Sequence, residues 1–255
     1  MKIACQTITF GDDLNINQMP VVLEKVAKAG FQGAEIGFRR LLKDPPETYA
    51  KLLEVNNLEL VAVHIGGDFL DAASVARQMN DIPTVINLCK TMKAKYVFLS
   101  GSYGKVKNRE DYKREADNYN QIGKMLKEEG LTLCYHNHDW EIKEEMLGLR
   151  CLTEFTDPAY MSFVPDVGWL TVGGANPVSV LRELSDRVKN IHFKEFTSEK
   201  GFAELGKGIV DFAGVAKEAK TMAQIDWVVA EQDQSQIGAE ESVSQNYHFI
   251  KELMK

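Results

Sequence analysis

The chain has 255 residues, of which 44% are hydrophobic, and its 30 basic and 37 acidic residues give a net charge of −7. This is a globular composition, and the acidic balance argues against a nucleic-acid-binding protein, which needs a basic face. No apolar run approaches the about 20 residues that span a bilayer. The N-terminus also lacks the apolar stretch of a signal peptide. We therefore expect a cytoplasmic protein that binds neither nucleic acid nor membrane.

Short apolar segments alternate with amphipathic segments along the whole chain, which is typical of strands alternating with helices. The predicted strands are, in chain order, Lys2–Thr7, Gly33–Ile36, Glu59–His64, Tyr96–Ser100, Thr132–His136, Met161–Asp166, Asn190–Lys194 and Trp227–Gln232. The predicted helices are Met19–Ala29, Pro46–Val55, Ala73–Met92, Glu110–Glu128, Arg150–Thr156, Val178–Asp186, Phe212–Met222 and Glu240–Met254. No linker rich in Pro, Gly or Ser divides the chain, so we expect one domain over residues 1–255.

The order of these elements predicts the fold class. Eight strands that alternate with helices, at a spacing of about 30 residues, predict a parallel sheet, because every connection must cross over. Closed on itself, this sheet is the (β/α)8 or TIM barrel of the α/β class. A doubly wound open sheet is the alternative, but no Gly-x-Gly-x-x-Gly follows the first strand, where a dinucleotide fold requires it. The four cysteines are widely spaced, which indicates reduced core thiols.

Titratable residues collect where the predicted strands end. Four of the five histidines lie there, namely His64, His136, His138 and His192. Four acidic residues do the same, namely Glu35, Asp166, Glu231 and Asp233. In a TIM barrel these strand ends converge on one mouth, where the catalytic groups lie. So many acids and imidazoles packed together would be costly without a cation to neutralise them.

A mixed shell of imidazoles and carboxylates suits one divalent metal ion, Mn²⁺, Zn²⁺ or Co²⁺ with Mg²⁺ as a further candidate, rather than Ca²⁺. The predicted ligands come from strands five to eight, one from each, and are His136, Asp166, His192 and Glu231. Any one of them alone could instead be a buried polar residue whose hydrogen bonds are satisfied. All four at the same face favour a catalytic metal site.

Other residues near these strand ends are candidates for substrate contact. Lys194 would lie beside the metal, where its ammonium group can hold a substrate oxygen or stabilise an enolate. The alternative is a rim lysine paired with Glu195. Trp140 and Trp169 fall in predicted loops and would form apolar walls around a small sugar or polyol.

The loop Glu204–Asp211 places two glycines ahead of a predicted helix, where backbone N–H groups can bind an anion. Asp211 would compete for the same N–H groups as the helix cap. No clear anion site stands out, so the sequence leaves open whether the substrate carries a phosphate. A homo-oligomer is compatible with a barrel of this size, but no surface patch is specified.

Six segments carry a resemblance to a known family. They are Gly30-Phe-Gln-Gly-Ala-Glu35, Tyr135-His-Asn-His-Asp-Trp-Glu141, Pro165-Asp-Val-Gly-Trp169, Ile191-His-Phe-Lys194, Leu205-Gly-Lys-Gly-Ile-Val-Asp-Phe212 and Ala230-Glu-Gln-Asp233. Over almost its whole length the chain resembles the xylose isomerase-like TIM barrels, the sugar phosphate isomerase/epimerase group related to endonuclease IV. The resemblance implies a metal held by strands five to eight, which corresponds to the four ligands predicted above.

The fifth strand departs from part of this family. Ketose epimerases of the group usually carry a glutamate there that is both ligand and proton-transfer base, whereas this chain has His136. His138 or Glu141 could replace that glutamate. Family members with a histidine-rich fifth strand include inosose dehydratase-like proteins and enzymes of 3-keto sugars, which eliminate rather than epimerise.

The sequence thus predicts a metal-dependent sugar isomerase or epimerase that removes a proton α to a carbonyl through an enediolate, with Glu231 or a histidine as base. The predicted catalytic residues are Glu231, His138 and Lys194, and the predicted substrate-binding residues are His64, Glu35, Trp140, Trp169 and Glu141. A dehydratase or lyase of a keto-sugar or keto-inositol is the alternative, with His138 or Lys194 as acid. A non-catalytic sugar-binding barrel and an abasic-DNA endonuclease are less favoured.

Overall fold

The computed structural model describes residues 1–11, 18–104 and 107–255. Within these ranges the strands are β1 (Lys2–Gln6), β2 (Gly33–Gly37), β3 (Glu59–Gly66), β4 (Tyr96–Ser100), β5 (Thr132–Tyr135), β6 (Met161–Phe163), β7 (Asn190–Phe193), β8 (Glu195–Phe196), β9 (Phe202–Ala203) and β10 (Trp227–Ala230). Eight of them form one parallel sheet in the order β6-β5-β4-β3-β2-β1-β10-β7. Parallel bridges from Phe163 to Val188 and from Asp166 to His192 bring its two edges together. The predicted TIM barrel is therefore confirmed.

Helices cover the outside of this barrel. They are α1 (Met19–Ala29), α2 (Pro46–Val55), α3 (Ala72–Met92), α4 (Arg109–Glu128), α5 (Lys143–Phe155), α6 (Val167–Val172), α7 (Pro177–Glu183), α8 (Phe212–Ala219) and α9 (Ala239–Leu253). Local sequence sets their ends: Asn108 and Asp111 form a capping box at the start of α4, and Gly30 takes a left-handed conformation after α1. Among the described residues, no helix combines the length and the apolar character needed to cross a membrane.

Strand periodicity decides which side chains face the barrel interior. Along β7 and β10, Ile191, Phe193 and Val228 pack outward against the helices, and Val229 belongs to a separate cluster inside the barrel. Successive strand residues point to opposite faces, so His192 also points inward. Apolar side chains fill the lower part of the interior, which leaves the carboxyl ends of the strands as a polar mouth.

The structure differs from the sequence-based elements mainly at their ends. Predicted strands five to eight end too late, because the chain leaves the sheet before His136, Asp166, Lys194 and Glu231. Helix α5 begins at Lys143 rather than Arg150, and its first turn contains residues with positive φ, which hides the helical period. Helix α6 and the β8–β9 hairpin were not predicted, because neither is long enough to show a period.

Candidate active site

A cavity of about 610 Å³ opens at the carboxyl ends of the barrel strands. Its volume lies within the range of about 300–1,000 Å³ that small-molecule sites have. Six of the side chains that line it are Gln6, His64, His136, His138, Glu231 and Asp233. The cavity therefore lies at the strand ends where the sequence predicted the titratable residues of the active site.

Four buried side chains meet at this mouth: His136, Asp166, His192 and Glu231. Each has a ligand atom within 4.8 Å of those of the other three. Oε2 of Glu231 lies 2.5 Å from Nδ1 of His192 and 3.1 Å from Nε2 of His136, and Oδ2 of Asp166 lies 3.5 Å from Nε2 of His136. The structure thus brings together the four residues that the sequence named as metal ligands.

Asp166 provides a test of whether this group fits a cation. Its Oδ1 atom caps helix α6 by accepting from the backbone N–H of Trp169 at 2.9 Å. Its Oδ2 atom is buried and has no hydrogen bond among the described residues, although Nζ of Lys194 lies 3.8 Å from it and Nε2 of His136 lies 3.5 Å from it. Both distances exceed that of a charge-assisted hydrogen bond, so this oxygen keeps a lone pair for a metal ion. The donor set of two imidazoles and two carboxylates therefore fits a divalent ion such as Zn²⁺ or Mn²⁺.

A chain of polar contacts runs behind the two ligand histidines. Nε2 of His192 lies 2.8 Å from Oε2 of Glu35, whose Oε1 lies 2.6 Å from Nδ1 of His64. Nε2 of His64 lies 2.9 Å from the hydroxyl of Ser100, which lies 3.5 Å from Nδ1 of His136. Such contacts orient ligand imidazoles and set their tautomers. The fully buried Glu35 is placed to orient a ligand, whereas His64 also lines the cavity.

The charges within this cluster shift several pKa values. Burial alone would raise the pKa of Glu35, but the adjacent His192 and His64 outweigh it and hold that pKa at about 2. Burial would lower the pKa of His192, but Glu35 and Glu231 raise it to about 10. For Glu231, the attraction of Lys194 and His136 outweighs burial and holds the pKa well below its usual range. The metal-free cluster therefore keeps a proton on His192, and a bound cation must displace it.

Lys194 is buried and lies against three acidic side chains of the mouth, of which Asp166 is the most distant at 3.8 Å. Its Nζ atom is 2.9 Å from Oε1 of Glu231 and 2.6 Å from Oδ2 of Asp233. Lys194 does not pair with Glu195, the alternative from the sequence; Oε1 of Glu195 instead accepts hydrogen bonds from backbone N–H groups. Residue 168 packs so closely against the backbone of Lys194 that only glycine fits. A Cβ atom at Gly168 would lie 2.5 Å from the Lys194 carbonyl oxygen.

The glycine-containing loop before α8 is already occupied by a side chain of the protein. Oε1 of Glu195 accepts from the backbone N–H groups of Ile209 and Val210 at 3.1 Å each. Asp211 caps α8 by accepting from the N–H of Gly214 at 2.9 Å. These N–H groups are not available to a substrate, so the anion site considered for this loop is wrong.

His138 lies on the wall of the cavity. Its ring stacks on that of Trp140 with centroids 4.1 Å apart, and its Nδ1 atom is buried without a hydrogen bond among the described residues. Burial, with the nearby His136 and Lys194, holds the pKa of His138 well below its usual range. His138 is therefore a neutral imidazole in this environment. Trp140 lines the cavity, whereas the ring of Trp169 lies 4.9 Å from Nζ of Lys194.

Glu141 supports the loop that carries these histidines. Its side chain is fully buried and accepts hydrogen bonds from the backbone N–H of His138 at 2.8 Å and the hydroxyl of Tyr135 at 3.0 Å. Burial raises the pKa of Glu141 to about 7, although Lys107 lies 3.7 Å away and opposes the shift. The carboxylate thus holds the loop in place from within the protein.

Sequence reasoning missed Ser100 and Asn137. The side chain of Asn137 accepts from the backbone N–H of Asp166 at 3.0 Å and so connects the loops after β5 and β6. Both residues follow or end strands, as the named ligands do. A neutral polar side chain at a strand end is common, however, and gives no signal of its own.

Comparison with known proteins agrees with this fold. The family model of the xylose isomerase-like TIM barrel matches residues 23–253. An inosose dehydratase of Bacillus anthracis is 27% identical over 199 residues, which cover 72% of this chain but only 65% of that protein. A sugar phosphate isomerase/epimerase from Parabacteroides distasonis has a TM-score of 0.85 at 19% identity, with both chains fully covered. An IolI protein with a zinc atom has a TM-score of 0.81 at 14% identity, over 100% of this chain and 98% of that chain. The chain belongs to the xylose isomerase-like TIM barrel family.

Proposed function

We propose that the protein is a divalent-metal-dependent dehydratase of a keto-sugar or keto-polyol, which removes the proton α to the carbonyl and expels a β-hydroxyl group as water. The single observation that carries this choice is His136, the residue that follows β5. The epimerase pattern in the family has a proton-transferring glutamate at that place, and here an imidazole of the metal cluster occupies it. The relatives named inosose dehydratase support the proposal.

His136, Asp166, His192 and Glu231 would hold the ion. Held there, a divalent ion would supply Lewis-acid chemistry, polarising a carbonyl and stabilising negative charge at the α-carbon. The zinc atom in the IolI structure, which has the same fold, supports the proposal that the ion is a divalent metal.

His138 is the proposed proton carrier. Its neutral imidazole accepts the α-proton, and the electrons of the broken C–H bond form a C=C bond as the bond to the β-oxygen breaks. The imidazolium then gives the same proton to the departing hydroxyl, which leaves as water. One residue on one face is sufficient for this elimination, and the ammonium group of Lys194 can hold a substrate oxygen.

A sugar isomerase or epimerase is the second candidate. Glu231 also lines the cavity and is a second group that can accept the α-proton. If Glu231 and His138 act on opposite faces of the substrate, the proton returns to the other face and the product is an epimer.

The test is incubation of the metal-loaded protein with a keto-inositol in D₂O. We expect an enone absorbance, and we expect His138→Gln to retain bound metal while kcat falls by about 10²-fold or more. Deuterium at the α-carbon without an enone would instead favour the epimerase. Neither enone nor exchange with several keto-polyols would contradict both candidates.

A further inference from the structure

Basic side chains line one part of the cavity, and the acidic residues Glu231 and Asp233 line another. Arg39, Arg40 and Lys43 follow β2 and line the same cavity as His136 and Glu231. Arg39 and Lys43 are exposed, and neither forms an ion pair with any residue in the described part of the chain. Other exposed cations of this chain, such as Lys51, also lack an ion pair among the described residues, but Arg39 and Lys43 line the cavity.

The backbone that carries these cations is fixed. Arg39 lies on a short 3-10 helix, Phe38–Leu42, that follows β2, and Phe38 and Leu41 of this helix are buried in the core. The hydroxyl of Tyr49 donates to the backbone carbonyl of Arg40 at 2.9 Å. The anchored turn leaves the side chains of Arg39 and Lys43 at the cavity.

Within the described part of the chain, the acidic side chains of the cavity do not pair with Arg39 or Lys43. Glu231 and Asp233 are bound to Lys194, and Glu231 also contacts the ligand histidines. Asp81 also lines the cavity but forms no ion pair with either cation.

We propose that the substrate carries a carboxylate or phosphate group, bound by Arg39 and Lys43, at the end remote from the reacting carbonyl. This inference rests on the proposed function, because it assumes that the carbonyl end lies at the metal cluster. A guanidinium group can donate two parallel hydrogen bonds to either anion, and a cationic rim raises the local concentration of anions. An uncharged polyol would make no use of these two cations.

Three ring polyols test the proposal by calorimetric titration of the metal-loaded full chain: neutral myo-inositol, myo-inositol 1-phosphate and the carboxylate quinate. We expect at least one of the two anions to bind about tenfold more tightly than myo-inositol or better, with an advantage that falls as salt rises. Tighter binding of myo-inositol 1-phosphate would indicate a phosphate site, and tighter binding of quinate would indicate a carboxylate site.

Arg39→Gln and Lys43→Gln should each reduce this advantage by about fivefold or more without changing the affinity for myo-inositol. Lys51→Gln is the matched control, because it removes the same charge from exposed α2 outside the cavity lining, and it should retain the advantage. Equal affinity for all three ligands, no binding of any, or an advantage that survives the Arg39→Gln/Lys43→Gln double variant would overturn the proposal.

Failure of the proposed function gives a different result. If neutral keto-inositol is converted to an enone and the anions show no advantage, only the anion site is wrong. If the anions bind through Arg39 and Lys43 but no keto-polyol reacts, the anion site stands and the dehydratase proposal is wrong.

Discussion

His192 lies between two carboxylates: its Nδ1 atom is 2.5 Å from Oε2 of Glu231, and its Nε2 atom is 2.8 Å from Oε2 of Glu35. One contact points to the centre of the four-residue cluster and the other points away from it. Glu35 therefore places a negative charge against the nitrogen that points away from the centre. In metal sites this arrangement sets the tautomer and raises the basicity of the ligand imidazole.

Replacing Glu35 should weaken metal binding without removing a ligand. We expect Glu35→Gln to raise the metal Kd by about 10- to 100-fold, because His192 loses its negatively charged partner. Titration with Zn²⁺ against a competing chelator measures the change. The matched control is Glu59→Gln, whose carboxylate is exposed on β3 and pairs with Lys2. Equal Kd values for Glu35→Gln and the wild type would show that Glu35 does not support the site.

Glu141 should make stability depend on pH. Its pKa is about 7 in the folded protein and 4.5 for an unperturbed carboxyl group, so the folded state binds the proton more tightly. The stability that this group contributes is full below pH 4.5 and is lost as the pH rises through about 7. Relative to Glu141→Gln, the wild type should lose on the order of 3 kcal/mol of unfolding free energy by about pH 8.

Urea unfolding of both proteins at several pH values, with chelator present, measures this loss. Glu59→Gln serves again as the exposed control and should follow the wild type at every pH. Parallel pH profiles for the wild type and Glu141→Gln would contradict the assignment of a raised pKa to this carboxyl group.

Gly168 should be required for the position of Asp166. In Gly168→Ala the new Cβ would lie 2.5 Å from the backbone oxygen of Lys194, so helix α6 must move away from β7. We expect a loss of about 1–3 kcal/mol in unfolding free energy and a weaker metal Kd, because Asp166 caps α6. Gly37→Ala is the control, since its Cβ would meet no atom within 4 Å. A Gly168→Ala protein with wild-type stability and metal affinity would show that α6 can adjust without disturbing the site.

The sequence predicted the fold and the meeting of the ligands because both follow from periodicity. A strand period of two places His136, His192 and Glu231 inside the barrel, and parallel strands bring their ends together. The sequence did not reveal what each carboxylate contacts. Glu35 and Glu141 are both fully buried. Glu35 contacts His64 and His192, which are distant in sequence, and the carboxylate of Glu141 contacts Tyr135 and the backbone of His138 through an irregular loop.

The cationic turn was missed for a related reason. Arg39 and Lys43 follow a strand, but many exposed cations do, and only the packing of Phe38 and Leu41 directs them to the cavity. The sequence also did not show which acid pairs with Lys194. Its neighbour Glu195 accepts hydrogen bonds from the backbone of another loop, and Lys194 pairs instead with Glu231 and Asp233. Contacts between different βα units depend on side-chain packing, and no local pattern reports them.

Metal content is the most direct measurement. The protein is purified without chelator and analysed for bound metals, beside His136→Ala, Glu231→Ala and the control His248→Ala on the exposed face of α9. We predict about one equivalent of Mn²⁺, Zn²⁺ or Co²⁺ in the wild type and in the control, and loss of the ion in the other two variants. A wild-type protein that holds no divalent ion and takes none up on titration would contradict the metal-dependent reaction.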